Sequence, residues 1–162
     1  MDKATVNQIL HDPLAQELLS SKILARLAYN GLDGFPRVVP IGFLWNGAQL
    51  VICTATKAPK VRALRARPQV ALTIDTDTQP PHVLLVRGTA RVELVEGVPA
   101  EYLAAAQKYY DAPTFEGFKV AVRALYKQME RITIEPEWAK LLDFETRMPV
   151  AVAGLVKAAS GA

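Results

Sequence analysis

The spacing of hydrophobic residues in the first third of the chain changes from that of a helix to that of a strand. In TVNQILHDPLAQELLSS the apolar residues recur at helical spacing, and Pro13 within the segment predicts a split or kink. KILARLAYN then places apolar residues at alternate positions, as a strand does. GLDGFP predicts a turn, RVVPIGFLW a strand with Pro40 at an edge, and Asn46–Gly47 a hairpin into the strand AQLVICTA.

The later segments alternate between the two spacings. Pro59 at a first helical position and Pro68 just beyond the end predict a short helix between two strands. Two further strands follow the helix, QVALTID and VLLVRGTARVELVE, separated by the loop TDTQPPH. VPAEYLAAAQKYYD and TFEGFKVAVRALYKQM predict helices, and RITIEP predicts a strand. WAKLLDFETRMPVAVAGLV fits neither spacing, and residues 157–162 are predicted to be a disordered tail.

This order of elements predicts a single domain over residues 1–156, of the α+β class and mainly antiparallel. Strands joined by tight turns pair antiparallel, and the helices lie to one side of them, which suggests a small barrel. A parallel nucleotide-binding sheet would need regular crossover helices, which the pattern lacks. The chain also has no G-x-G-x-x-G or P-loop motif.

Composition narrows the class of protein further. The net charge of +3 over 162 residues is modest and does not demand a nucleic-acid partner. The single cysteine, Cys53, excludes an internal disulfide and fits a reducing compartment. The polar start MDKATVNQILHDP does not resemble a secretory signal, and no apolar stretch is long enough to span a bilayer. The expected location is the cytoplasm, without membrane association.

The charge is concentrated in TATKAPKVRALRARP, which carries five positive charges and no acid. Such a run fits a small anionic ligand, a nucleic acid or solvent alone. A helix start presents free N–H groups and the positive end of its dipole, which favours phosphate. Lys57 and Lys60 fall on the stripe that faces the protein body, so they are the ligand candidates, whereas Arg62, Arg65 and Arg67 are expected to be solvated or to face a partner.

Two stretches resemble the pyridoxamine-phosphate-oxidase-like family, the flavin-binding split β-barrels. They are ARLAYNGLDGFPRVVPIGFLWNGAQLVICTATKAPKVRALRARPQVALTID and LLVRGTARVE. The resemblance implies a split β-barrel of about six strands with flanking helices. It also implies a homodimer with flavin mononucleotide (FMN) at the interface. The implied activity is an oxidoreductase that passes hydride to or from a small organic substrate.

The same resemblance implies a set of cofactor-binding residues. Basic and hydroxyl side chains would meet the phosphate, and the strand RVVPI would contact the isoalloxazine through its backbone. An aromatic from the C-terminal segment of the partner subunit would reach over the flavin. The positions that match are Arg37, Val38, Val39, Thr54, Lys57, Lys60 and Trp138. The chain departs from the vitamin enzymes at two places, with Ala58–Pro59 where they have Ser-Arg and Gly42 where they have lysine.

Several alternatives stay open. The deazaflavin F420, used by close relatives of this family, could replace FMN, since its oligoglutamate tail would favour extra positive charge. A cofactor-binding or redox-sensing module without turnover and a haem-degrading relative are further possibilities, as is nucleic-acid binding through the basic helix. No catalytic residue is assigned. His11 and Cys53 lack partners at metal-ligand spacing, so no metal site is expected.

Overall fold

The structure, a computed structural model, describes residues 1–159. Its strands are β1 (Ala25–Asn30), β2 (Pro36–Ile41), β3 (Leu44–Trp45), β4 (Leu50–Thr54), β5 (Gln69–Asp75), β6 (Val83–Glu96) and β7 (Gln128–Leu142). Its helices are α1 (Lys3–Leu10), α2 (Pro13–Ser20), α3 (Pro59–Ala66), α4 (Ala100–Gln107), α5 (Ala112–Leu125) and α6 (Val150–Ala159).

The strands form one antiparallel sheet in the order β2-β1-β5-β6-β7-β4-β3. Although β2 and β3 are the two outermost strands, Ile41 and Leu44 are separated by only Gly42 and Phe43. Three residues span at most about 11 Å, so the edges of the sheet must meet at this corner. The sheet therefore curls into a barrel that stays open along the rest of its edges. This confirms the α+β class and the split barrel.

Residues 1–159 form seven strands rather than about six, because the predicted strand RVVPIGFLW is broken. Its first part, β2, pairs with β1, while its last part, β3, pairs with β4 on the other side of the opening. Phe43 lies between them and is fully buried, which anchors the corner in the core. A continuous hydrophobic pattern does not reveal that its two halves join different edges.

The inward-facing residues of the strands fill the barrel. Alternate positions such as Leu27, Ile52, Leu72, Ile74 and Ile132 are almost completely buried. The N-terminal helices cover one side of this core through Val6, Leu10 and Leu18. A second, smaller cluster lies on the outer face of β4 beneath α4 and is made of Val51, Cys53 and Met129.

The β6–β7 pair is the longest ladder of the sheet, and it carries a bulge beside Gly88. Trp138 pairs with Arg87 and Pro136 with Gly88, so Glu137 is the extra residue. Part of the segment that fitted neither spacing continues β7 as far as Leu142, and another part forms α6. Helix α5 ends at Leu125, earlier than predicted, because Gln128 already pairs with Glu96.

The prediction for the N-terminal helix is confirmed, whereas part of the predicted C-terminal tail is helical. The helical N-terminal segment is split at Pro13, where the Asp12 side chain accepts a hydrogen bond from the Leu14 N–H and caps α2. Residues 157–159 of the predicted tail belong to α6, and residues 160–162 lie outside the described residues. Over residues 1–159, no helix has the length and apolarity needed to cross a membrane.

Candidate functional site

A cleft of about 370 Å³ lies between the β1–β2 loop and the start of α3. It brings together two of the sequence-predicted residues, Arg37 and Lys57, and adds a third cation, Arg62. The remaining lining residues are Tyr29, Gly31, Leu32, Asp33, Pro59 and Ala63. We call this site the basic cleft. It groups three basic side chains around an open volume.

Arg37 is held in the basic cleft by the loop that precedes it. Its guanidinium donates to both carboxylate oxygens of Asp33, each at 2.8 Å, and to the Phe35 carbonyl at 3.0 Å. A Cβ atom at Gly31 would lie 1.7 Å from Arg37 Nη1, so the guanidinium packs where only glycine leaves room. The hydrogen bonds from Arg37 lower the pKa of Asp33 to about 2, and Asp33 is therefore ionised at neutral pH.

The basic cleft is positive despite this carboxylate, because its other two cations have no acidic partner. Within the described chain, neither Lys57 nor Arg62 forms an ion pair. The N-terminus of α3 lies beside them, and its N-cap, Ala58, provides no side-chain hydrogen bond. Pro59 has no N–H, and the Ala58 and Val61 amides already donate to the carbonyls of Ala55 and Ala58. The unpaired cations and the positive end of the helix dipole are therefore what attracts a phosphate or a carboxylate. The arrangement can therefore bind the anionic end of a small molecule.

The other cations of the run do not share this position. Lys60 is half-buried outside the basic cleft, and burial lowers the pKa of its ammonium group. Arg65 donates at 2.8 Å to Glu130, a carboxylate that is only 3% exposed. Arg67 donates to the Gly31 carbonyl at 2.5 Å. Arg65 and Arg67 thus make specific contacts within the fold, whereas simple solvation was one expectation for them.

The backbone of β2 offers hydrogen-bonding groups at the open edge of the sheet. The Gly31 N–H donates to the Phe35 carbonyl, which makes residues 31 and 35 a hydrogen-bonded pair. Alternation along the antiparallel ladder then turns the amide and carbonyl of Val38 away from β1 and those of Val39 toward it. Pro36 and Pro40 alternate in step with Val38, so the backbone nitrogens of both prolines also face away from β1. This is expected of prolines in an edge strand, since proline has no N–H to donate to a neighbour. Of the two predicted backbone contacts, only Val38 has its groups free at this edge.

Thr54 and Trp138 do not line the basic cleft of their own chain. Thr54 ends β4 and lies opposite Glu130 on β7. Trp138 lies on β7, where the Arg87 guanidinium stands 4.3 Å from the centre of its ring. A contact between Trp138 and a cofactor would thus have to come from a second copy of the chain, as the sequence resemblance implied.

Of the residues that line the basic cleft, sequence reasoning assigned only Arg37 and Lys57 to the site, and the lining residues it missed include Gly31, Asp33 and Arg62. The segment GLDGFPR contained a signal, because an aspartate four residues before an arginine across a tight turn can form an ion pair. Arg62 was assigned outward because it points away from the buried stripe of α3. The β1–β2 loop folds back toward that outward face, and a helical projection does not show this.

The described residues contain no group of three or more histidine, cysteine or carboxylate side chains placed to hold a metal ion. Cys53 is buried beneath α4, and desolvation raises the pKa of its thiol to about 12. A neutral, buried thiol is a poor nucleophile. The Cys53 thiol is therefore not activated for nucleophilic attack, and it does not line the basic cleft.

Comparisons with known proteins agree with this fold. The family model described as pyridoxamine 5'-phosphate oxidase matches residues 12–140, and a search of the curated proteins found no match. A solved structure named F420 reductase is 27% identical, covers 77% of this chain and 94% of its own, and has a TM-score of 0.61.

Two further solved structures share the fold at lower identity. A pyridoxamine 5'-phosphate oxidase-like protein from Listeria innocua is 20% identical over 79% of this chain and 94% of its own, with a TM-score of 0.56. The haem storage protein HutZ from Vibrio cholerae is 19% identical over 82% and 93%, with a TM-score of 0.57. The fold thus occurs in proteins described with different cofactors.

Proposed function

The chain belongs to the pyridoxamine 5'-phosphate oxidase family, and we propose that it is an oxidoreductase that binds a flavin-type cofactor through the phosphate. The observation that carries this proposal is the basic cleft. There, among residues 1–159, Lys57 and Arg62 have no ion pair, and Arg37 is oriented by Asp33. Three cations against one carboxylate leave the net charge that a phosphate monoester or diester needs.

The residues of the chain position and orient rather than react. In the proposal, Lys57 and Arg62 neutralise the phosphate, Arg37 divides its donors between Asp33 and the ligand, and the free backbone groups of Val38 bind the ring system. A bound flavin or deazaflavin would supply the hydride chemistry itself. This division of labour fits a cleft whose lining, within residues 1–159, includes no histidine or cysteine.

FMN and F420 are both candidates, and Arg62 separates them. Both cofactors would present a phosphate to Lys57 and Arg62. The oligoglutamate tail of F420 would in addition place carboxylates near Arg62 at the outer side of α3. The similarity to the structure named F420 reductase supports this second cofactor. We therefore expect Arg62→Ala to weaken F420 binding more than FMN binding.

A homodimer with the cofactor at its interface is part of the proposal. Large apolar side chains are exposed beside the basic cleft, with Phe35 at 72% and Val38 at 65% exposure. Exposed apolar groups on an edge strand are typical of a surface that a partner covers. A second copy would close the basic cleft and bring its own aromatic residues toward the cofactor.

The experiment is a fluorescence titration of the purified protein with FMN and, separately, with F420. The proposal expects one of them to bind with a Kd in the low micromolar range, about 8 kcal/mol of binding free energy. Failure of both to bind below about 100 μM, which is near 5.5 kcal/mol, would overturn it. Tight binding without reoxidation by any acceptor would favour a redox-sensing module over an enzyme.

A haem-binding function has less support in the chain. The two histidines, His11 and His82, do not line the basic cleft. The His11 Nδ1–H donates to the Asn7 carbonyl at 2.9 Å, at the C-terminal end of helix α1. Neither residue offers an axial ligand beside the anion site.

A further inference from the structure

A second cavity, of about 290 Å³, lies between the end of β2 and the helices α4 and α5. No charged side chain lines it, in contrast to the basic cleft. Its lining residues are Leu24, Ile41, Gly42, Cys53, Tyr102, Ala105, Ala106, Tyr109, Tyr110 and Phe118. We call this cavity the aromatic pocket. Its volume and apolar lining are those of a small-molecule site.

The rings of the aromatic pocket are already assembled. Tyr110 stacks on Phe118 with centroids 4.6 Å apart, and Tyr102 stacks on the same phenylalanine at 6.1 Å. Such contacts hold flat surfaces in fixed orientations. A flat ligand could therefore bind without rearrangement of the wall.

The polar atoms of the aromatic pocket are hydroxyl groups that remain available. Within residues 1–159, the side chains of Tyr102, Tyr109 and Tyr110 form no hydrogen bond with the protein. Burial raises the pKa of Tyr102 and of Tyr109, so both hydroxyls stay neutral at physiological pH. They can donate to a carbonyl or hydroxyl group of a ligand.

Gly42 shapes the side of the aromatic pocket that adjoins the cofactor strand. A Cβ atom at this position would lie 3.8 Å from the Tyr109 ring, so a longer side chain would fill the cavity. Gly42 follows directly on Ile41, the last residue of β2, while Arg37 of the basic cleft is near the start of the same strand. Arg37 and Ile41 are four positions apart along the strand, about 13 Å.

We propose that the aromatic pocket binds uncharged, planar aromatic molecules and that this chemistry defines the substrate class of the protein. The second part rests on the proposed oxidoreductase function, because the pocket adjoins the strand proposed to hold the cofactor ring. An anionic ligand would be excluded, since the lining offers no cation to compensate for its desolvation. The basic cleft and the aromatic pocket would then take the two reactants at opposite ends of β2.

The test compares 2-naphthol with 2-naphthoate, two probes with the same ring system but different charge at neutral pH. Calorimetric titration of the cofactor-free protein is expected to show 2-naphthol binding at least tenfold more tightly, about 1.4 kcal/mol. Equal affinities, or no binding of 2-naphthol, would overturn the proposal.

Two variants on α4 locate the binding. Ala106→Leu, which fills the aromatic pocket, should weaken 2-naphthol binding at least tenfold. Ala104→Leu adds the same volume on an exposed position of the same helix and should change it less than twofold. An unchanged affinity in the Ala106 variant would show that the probe binds elsewhere.

A milder variant keeps the test decisive if Ala106→Leu fails to fold. Tyr109→Phe retains the ring but removes one donor, and it should weaken binding of 2-naphthol about fivefold. No change with Tyr109→Phe would contradict the role of the hydroxyl. Because these titrations use no cofactor, a failure of the aromatic pocket can be distinguished from a failure of FMN and F420 to bind.

Discussion

The ion pair of Arg65 and Glu130 joins helix α3 to strand β7. Glu130 is 3% exposed, and the Arg65 guanidinium at 2.8 Å is its hydrogen-bonding partner. Removing one member of a buried ion pair leaves the other charge uncompensated, which costs several kcal/mol. The half-exposed position of Arg65 reduces this cost, because water can partly replace the guanidinium.

We therefore predict that Arg65→Ala lowers the free energy of unfolding by about 2 kcal/mol in urea denaturation. Arg62→Ala is the matched control, since Arg62 lies on the same helix without an ion pair, and it should change stability by less than about 0.5 kcal/mol. An equal loss in both variants would contradict a specific role for the Arg65–Glu130 pair.

Asp143 gives a pH-dependent prediction. Its carboxylate accepts hydrogen bonds from the Thr146 hydroxyl at 2.6 Å and from the Arg147 N–H at 2.7 Å. These bonds, led by that of Thr146, lower the pKa of Asp143 in the folded state. A depressed folded pKa stabilises the protein above the ordinary aspartate pKa, near about 4, and this stabilisation is lost as the pH falls below it.

Asp143→Asn should thus lower the free energy of unfolding at pH 7, and the difference from wild type should shrink as the pH falls below about 4. Thermal unfolding followed by circular dichroism across this range measures it. Asp77→Asn provides the control, because Asp77 is an exposed loop residue. A difference that stays constant with pH would show that the charge of Asp143 is not the cause.

The sequence allowed two cations of the basic cleft to be predicted but not the third. Arg37 and Lys57 could be assigned from the resemblance, and both line the basic cleft. Arg62 could not, because its place depends on a loop more than twenty residues earlier in the chain. Local spacing gives the direction of a side chain on its own helix but does not identify what folds against it.

At the scale of elements, prediction worked best where the pattern was local. The short helix between Pro59 and Pro68 and the hairpin at Asn46–Gly47 are present, since their signals lie within the segments themselves. The split of RVVPIGFLW into β2 and β3 and the full length of β7 depend on distant pairing partners. The spacing of residues within one segment does not specify its pairing partners, so these two features could not be predicted from it.

The close pairing of β6 and β7 leaves no room for a side chain at Gly88. A Cβ atom there would lie 2.0 Å from the Glu135 carbonyl oxygen, a backbone atom that cannot move without opening the ladder. We expect Gly88→Ala to lower the free energy of unfolding by about 3 kcal/mol. Chemical denaturation measures the loss.

Gly117→Ala is the matched control for this prediction. Gly117 lies within α5, and a Cβ atom there meets nothing within 4 Å. Alanine favours a helix over glycine, so this variant should gain about 0.5–1 kcal/mol. Opposite signs at the two glycines would support the close approach at Gly88, whereas a neutral Gly88→Ala would contradict it.

The whole molecule is proposed to work as a homodimer with β2 near the interface. Val38→Glu would place a charge on the exposed apolar side of this strand, and burying that charge in an interface is unfavourable. Light scattering should show twice the chain mass for the wild type and a shift toward the monomer for the variant. Glu116→Gln, an exposed position on α5, should leave the mass unchanged. A monomeric wild type would contradict the dimer.

We propose that the cations of the basic cleft bind the phosphate of a flavin-type cofactor. A decisive measurement is the Kd of two variants for FMN and for F420: Lys57→Ala, and Lys127→Ala, which removes an exposed lysine outside the cleft. Lys57→Ala should lose about tenfold or more in affinity, since a charge-assisted hydrogen bond contributes about 1.5–3 kcal/mol, and Lys127→Ala should lose none. Equal affinities in the two variants would overturn phosphate binding by the basic cleft.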